Sequence, residues 1–323
     1  MISGEQLPEL HGLPAFDFPR VDRMTSELPG PGDVAWRIGA FLEWNSDADE
    51  WEGEDWEVAF ARFRSAVDTT RVRALIVDRW REHWDNGPGT VISELLAARD
   101  ELPELRALFI GDNYGRWLQA ASELSDMTGL LTSFWHLEEF GVRGSGGLVF
   151  PVMRHERLRS LTVQSAGLDA DVVRAIGASD WPALEHLDLW LGTAESGAST
   201  RMTDLAPILS GARLPRLRHL ALRNSEIQDA IAAELASAPI VARLEVLDLS
   251  MGTLGDEGVT ALLDGQPLIH LNRLDLWHHY ISRPLQQRLR QALEPAGVTL
   301  DLDANGAWGD EDDRHIAVDN SPF

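Results

Sequence analysis

The sequence predicts an α/β fold: a leucine-rich-repeat solenoid (horseshoe) of about nine strand–helix repeats, with an N-terminal α/β cap. Three observations carry this. A frame of the form L-x-x-L-x-L, with other aliphatics or Phe in place of Leu, occurs nine times. Its copies start at residues 72, 105, 137, 158, 184, 217, 244, 271 and 297, so the intervals cluster near one period. The intervals also carry apolar residues at three- and four-residue spacing, bracketed by Gly, Pro, Ser or Asp, which is the signature of a short amphipathic helix. A strand and a helix cannot bury their apolar faces alone. Stacking such units makes a continuous core, with parallel strands on a concave side and helices on a convex one.

In chain order, residues 1–71 are expected to cap the solenoid. Ala35 to Trp44 reads as a strand, and Trp56, Phe60, Phe63 and Val67 share one helical face. Seven acids between Asp47 and Glu57 then fall on the approach and first turn of that helix, where its dipole favours them. Residues 72–303 are the solenoid. Its first frames are Val72-Leu75-Val77, Leu105-Leu108-Ile110, Leu137-Phe140-Val142 and Leu158-Leu161-Val163. The clearest are Leu184-Leu187-Leu189, Leu217-Leu220-Leu222, Leu244-Leu247-Leu249 and Leu271-Leu274-Leu276, and Gly297-Leu300-Leu302 closes the series. Helices are expected over Asp171–Ala178, around Leu205–Leu209, and over Asp229–Ala236, Asp256–Leu263 and Arg283–Leu293.

Three irregularities stand out. The position three after the last frame residue usually holds Asn or Cys, which bonds the turn. Here it is Asn only at Asn113 and Asn305, so the other turns must be satisfied differently, with water as one candidate. The 21-residue interval from Leu137 contains Gly144, Gly146 and Gly147, which would let a shortened repeat turn tightly. The 33-residue interval from Leu184 contains GTAESGAST (Gly192 to Thr200), expected to project as a loop whose shortening costs little stability. Residues 304–323 read as an acidic tail.

Composition bounds the function. The chain is 44% apolar and 25% charged, as for globular proteins, but 28 basic against 52 acidic residues give a net charge of −24. Such a surface repels nucleic acid and anionic membranes. Cysteine is absent, which excludes disulfides, thiolate nucleophiles and thiolate metal sites. The first residues carry no basic region followed by an apolar stretch, and no apolar run approaches the roughly 20 residues of a membrane helix, so a cytoplasmic location is expected.

Several strings resemble an uncharacterised bacterial family of leucine-rich-repeat proteins. They are LRALFIGD from Leu105, LEHLDLWLG from Leu184, LEVLDLSMGTLG from Leu244 and LDLWHHYI from Leu274. An opening at Leu10 to Phe18 (LHGLPAFDF) and an ending at Arg314 to Val318 (RHIAV) extend the likeness over most of the chain. The resemblance implies a cytoplasmic accessory protein without known catalytic residues. Members are encoded near radical-SAM-type and ATP-grasp-type enzymes, which implies a scaffold or peptide-binding role.

The candidate site follows from the repeat geometry. Equivalent positions on neighbouring strands lie about 4.8 Å apart. The residue between the second and third frame positions points into the concave face, and in the last five strands it is Asp188, Ala221, Asp248, Asp275 and Asp301. Like charges side by side in a ladder destabilise it unless a counter-charge intervenes, and Arg223 and Arg273 lie one row away on either side. One flanking row holds Trp190, Arg223, Ser250 and Trp277; the other holds His186, His219, Val246 and Arg273. Aromatics and arginines are the residues of interface hot spots, although Trp190 and Trp277 can equally pack into the rim. The expected partner is a protein or peptide with cationic groups.

Metal and catalytic chemistry find weaker footing. His278 and His279 near His219 and Asp275 suit Zn²⁺ or Fe²⁺ by residue type, but adjacent strand residues point to opposite faces. Asp301, Asp303, Asn305, Gly306 and Asp312 match most of an EF-hand loop, with Asp in place of the bidentate Glu. No G-x-S-x-G, P-loop, complete G-x-G-x-x-G or H-E-x-x-H occurs. The leading expectation is therefore a non-catalytic scaffold without a cofactor. The alternative is a metal-dependent accessory or enzyme acting through the concave Asp/His cluster.

Overall fold

The computed structural model describes residues 6–23, 27–45, 50–80, 87–112, 123–307 and 313–318. Two compact units divide the chain, residues 1–149 and 150–323.

The first unit opens with strands β1 (Glu9–Leu10) and β2 (Leu13–Asp17), followed by β3 (Ala35–Ile38), β4 (Phe41–Asn45) and β5 (Glu50–Glu54). Helix α1 (Trp56–Ala66), β6 (Ala74–Val77), α2 (Gly89–Ala97), β7 (Ala107–Ile110), α3 (Thr128–Ser133) and β8 (Glu139–Arg143) complete it. The first three frames become β6, β7 and β8, paired in parallel with Leu75, Leu108 and Phe140 in register. The ladder also runs back into the N-terminal region, because β2 and β3 pair in parallel with Phe16, Trp36 and Leu75 aligned. Leu13-Phe16-Phe18 fits the same apolar frame.

The strand expected over Ala35 to Trp44 is two strands. It breaks at Gly39–Ala40, and β4 turns away to form an antiparallel hairpin with β5. Of the seven acids, Glu50, Glu52 and Glu54 therefore lie in a strand rather than on the approach to a helix; Asp55 and Glu57 do flank the start of α1. Asp47 and Asp49 lie outside the described residues. Helix α1 buries Trp56, Phe60 and Phe63 as its spacing demands. Phe63 meets Trp36 and Phe18 edge-on at 5.4 and 5.3 Å, and Trp56 stacks on Phe60 at 4.7 Å. The buried indoles find acceptors in the Pro31 and Ile38 carbonyls, at 2.9 and 3.1 Å, which offsets their desolvation.

The second unit contains β9 (Ser160–Gln164), α4 (Ala170–Ala178), β10 (His186–Gly192), α5 (Met202–Ser210), β11 (His219–Ser225) and α6 (Gln228–Leu235). It continues with β12 (Val246–Asp248), α7 (Asp256–Asp264), β13 (Arg273–Asp275), α8 (Arg283–Leu293) and β14 (Thr299–Asp301). Its six strands are parallel neighbours in sequence order, with the frame leucines Leu161, Leu187, Leu220, Leu247, Leu274 and Leu300 in register. All but Leu300 in that row are fully buried. The fold class is the one expected, an α/β leucine-rich-repeat solenoid.

The repeats are tied through their helix starts. Asp229, at the start of α6, accepts from Gly255 and Gly258 at the start of α7, at 2.7 and 3.1 Å. Asp256 at the start of α7 accepts in turn from Ser282, the N-cap of α8, at 2.7 Å. Each carboxylate thus satisfies amides that the next helix leaves unpaired.

Two local expectations fail. The interval from Leu137 to Leu158 contains no helix, since 21 residues leave no room for one between the strands. Gly147 (φ 78°) turns that repeat against the Leu124 carbonyl, as its glycines suggested. The 192–200 segment does not project. Thr193 N–H donates to the Ala166 carbonyl at 2.9 Å, Ser199 Oγ accepts from Ala170 N–H at 2.9 Å, and Glu226 accepts from Ala194 N–H at 2.9 Å. The extra residues cover a neighbouring turn and a helix start, so they are structural.

Candidate functional site

In the first unit the strand face turned away from the helices is already occupied. Leu10 of β1 packs on Ala35, Ala74, Ile76, Ala107 and Phe109, which line that face, with Leu7 and Leu13 beside it. The segment is pinned by Asp112, which is fully buried. Its carboxylate accepts the Leu7 N–H at 2.9 Å and Arg37 Nε at 2.9 Å, while Arg37 also pairs with Asp17 at 2.7 Å. Burial raises the Asp112 pKa, with Arg143 and Arg37 opposing it.

In the second unit the predicted rows form. Asp188, Ala221, Asp248, Asp275 and Asp301 are paired neighbours in that order, as are His186, His219, Val246 and Arg273, and Trp190 stands opposite Arg223. The aspartates are not left to repel one another. Arg223 makes a bidentate contact with Asp188, at 2.9 and 2.6 Å, and reaches Asp248 at 3.3 Å. Arg273 reaches Asp275 at 2.6 Å and Asp301 at 3.4 Å. The carboxylates also close turns: Asp248, Asp275 and Asp301 each accept the backbone N–H two residues on, at 2.9, 3.0 and 3.2 Å. An aspartate at this position is a strand-end acceptor as well as a surface charge.

The row divides by depth. Asp188, Ala221 and Asp248 are buried, whereas Arg273 is exposed and Asp275 and Asp301 are half-buried. Burial raises the Asp248 pKa, Arg223 lowers it and Asp275 adds to the rise. Burial works against the charge of Arg223, but Asp188 and Asp248 outweigh it and hold the guanidinium protonated. The His186 and His219 rings stack 4.0 Å apart. Burial, then the neighbouring His186, lowers the His219 pKa to about 4, and burial lowers that of His186, so both are neutral at pH 7.

Trp190 and Trp277 pack rather than stand free. Trp190 is buried against Met251 and Val318, with Trp277 and Ala317 alongside. His278 and His279 are both buried. His279 replaces the missing turn Asn: Nδ1 accepts from Ile281 N–H at 3.0 Å and Nε2 faces the Leu302 carbonyl at 3.2 Å. Burial lowers its pKa, consistent with the neutral ring. The Ser225 hydroxyl and the Gln228 carboxamide serve the turn after β11 in the same way, bonding Ile227 N–H and the Leu222 carbonyl. Side chains therefore bond the backbone of these turns.

Among the described residues no group of three or more His, Asp or Glu is arranged to hold a metal ion. In the EF-hand-like string, Asp303 accepts from both nitrogens of Asn305 and Asp301 pairs with Arg273. Asp312 lies outside the described residues. Among those residues, no helix is long and apolar enough to cross a membrane.

The spacing of the frame did not reveal what the residues at its edge do. Asn224, Met251 and His278 each lie two past the last frame leucine, and each has a left-handed backbone, with φ of 52°, 69° and 58°. Residues 313–318, read as part of a tail, lie along these turns. Their RHIAV string was a signal, but of likeness and not of contact.

No protein-family model matches the sequence, and no curated protein sequence matches it. Among solved structures, the chain is similar to a Bacteroides fragilis protein, with a TM-score of 0.73 and 23% identity over 84% of this chain and 75% of that one. A leucine-rich-repeat protein of Leptospira interrogans aligns over 72% of this chain and 90% of its own at 12% identity, but with a TM-score of 0.20, too low to bear on the fold. The likeness to the Bacteroides fragilis protein is therefore one of fold, and this chain shares its α/β architecture.

Proposed function

We propose that the chain is a non-catalytic scaffold that binds another protein or a peptide through cationic groups of that partner. The observation that carries this reading is incompletely cancelled charge. Four aspartates share two arginines along the row, and Asp275 and Asp301 lie at its accessible end. A guanidinium or ammonium group placed there completes the alternation of charge. The stacked, neutral His186 and His219 add a flat surface without opposing a cation. A net charge of −24 draws such partners in and disfavours nucleic acid and anionic membranes. The cytoplasmic, bacterial accessory role rests on the resemblance described for the sequence.

The test is a pull-down from a bacterial lysate at low salt, with wild-type protein and an Asp275→Asn/Asp301→Asn variant as parallel baits. A specific protein or peptide retained by the wild type, released by added salt and at least several-fold depleted on the variant is the expected result. Equal retention by both baits rejects this face as the binding surface.

A further inference from the structure

The segment Arg314 to Val318 is held in a way that does not depend on its belonging to this chain. The Asn224 carboxamide donates to the Val318 carbonyl at 2.8 Å and accepts the Val318 N–H at 3.0 Å. The Tyr280 hydroxyl donates to the His315 carbonyl at 3.1 Å and accepts the His315 N–H at 2.9 Å. Between them, Ala317 N–H donates to the Met251 carbonyl at 2.8 Å. Two side chains thus each read both backbone groups of one residue, the pairing an added strand would receive. The side chains are held as well: Ile316 and Val318 are buried, Ala317 packs beside Val318, and Arg314 donates to Asp229 at 2.9 Å and to the Thr253 carbonyl at 3.1 Å.

The segment crosses neighbouring turns, with a bend at Ala317 and Val318. From His315 to Val318 the segment passes from the turn after β13 to the end of β11. The next strand in that direction is β10, where buried Trp190 leaves its indole N–H without an acceptor. The floor is built from Asn224, Met251 and His278 in left-handed conformations, a strained backbone that persists where surrounding structure holds it.

We infer that the turns after β10 to β13 form a groove for a peptide segment with a basic residue and then branched aliphatics two and four positions later, and that Arg314 to Val318 fill it as an intramolecular competitor. An incoming peptide takes over the contacts of Asn224, Met251 and Tyr280 and can offer a carbonyl to Trp190. This goes beyond the proposed acidic surface. Asp275 and Asp301 make no hydrogen bond to the segment, so the two readings fail separately.

The probe is a fluorescein-labelled, amidated peptide DRHIAV, titrated by anisotropy against three full-length proteins: wild type, Arg314→Ala, and Ile316→Asp/Val318→Asp. A tethered competitor works at a high effective concentration. The two variants should therefore bind the peptide at least tenfold more tightly than wild type, and adding Asn224→Ala to either should remove most of that gain. A folded variant, judged by circular dichroism and Tm, that shows no saturable binding overturns the proposal. Unfolding of both variants overturns it as well, because the segment is then an integral part of the core.

Discussion

Replacing Arg223 by Met removes the cation that stands between Asp188 and Asp248 and keeps most of the side chain's volume. The Asp188 and Asp248 side chains are only 6% and 10% exposed, and Arg223 itself is 18% exposed, so little water can take its place. Breaking a buried ion pair by removing one partner costs about 3–5 kcal/mol. The Asp248 contact is the longer one, at 3.3 Å, and that carboxylate keeps the Ser250 N–H, so the loss should lie near 3 kcal/mol. For a unit of this size that corresponds to a Tm lower by about 6–12 °C. The pH dependence checks the cause. The folded-state pKa of Asp248 is already raised by burial, so its contribution to stability is fully present below the ordinary carboxylate pKa and is lost as pH rises through the raised value. Without Arg223 that pKa moves further up. The deficit of the variant should therefore be greatest at pH 7–8 and shrink towards pH 4. Urea unfolding followed by circular dichroism at several pH values measures it. A deficit below about 1 kcal/mol at pH 7, or one that grows on acidification, would refute the reasoning.

Other outcomes follow from the same contacts. Asp275→Asn should change stability by no more than about 0.5 kcal/mol, since Asn can still accept the Trp277 N–H and Arg273 is 47% exposed; Asp275→Ala should cost about 1 kcal/mol more, read by urea melts. The His219 ring should stay predominantly neutral by NMR from pH 8 down to 5. Because its folded pKa lies below the unfolded value, its stabilising contribution is present above about pH 6.5 and fades as pH falls towards 4, and His219→Phe should flatten that part of the stability–pH curve. Ser199→Ala should cost about 1 kcal/mol by uncapping the start of α4, whereas an inert loop would show no change in Tm. Gly192→Ala should cost about 2 kcal/mol, because φ is 79° and a Cβ would collide with the Ala166 carbonyl.

The apolar frame was enough to place all nine of its strands, because the same three positions of every strand must face a shared core, whatever the length of chain between strands. The same logic located α4 to α8 within a few residues, with α8 matching its expected bounds at Arg283–Leu293. It also aligned the Asp, His and Trp/Arg rows, since parallel register follows once the frame is known. What lay beyond it is what neighbouring repeats and distant segments decide. No pattern in the sequence says that Arg223 bridges Asp188 to Asp248, since that depends on side-chain reach across strands. Nor could periodicity show that Trp190 lies under Val318, or that Leu10 covers the ladder of the first unit, because both contacts join residues far apart in sequence. The 192–200 segment departs from its local composition for the same reason. Its composition is that of a free loop, but its backbone amides and Ser199 hydroxyl meet partners on adjacent turns. Local spacing determines which residues face a core; only the folded chain determines which of the remaining polar groups find one another, because those bonds depend on distance in space and not along the sequence.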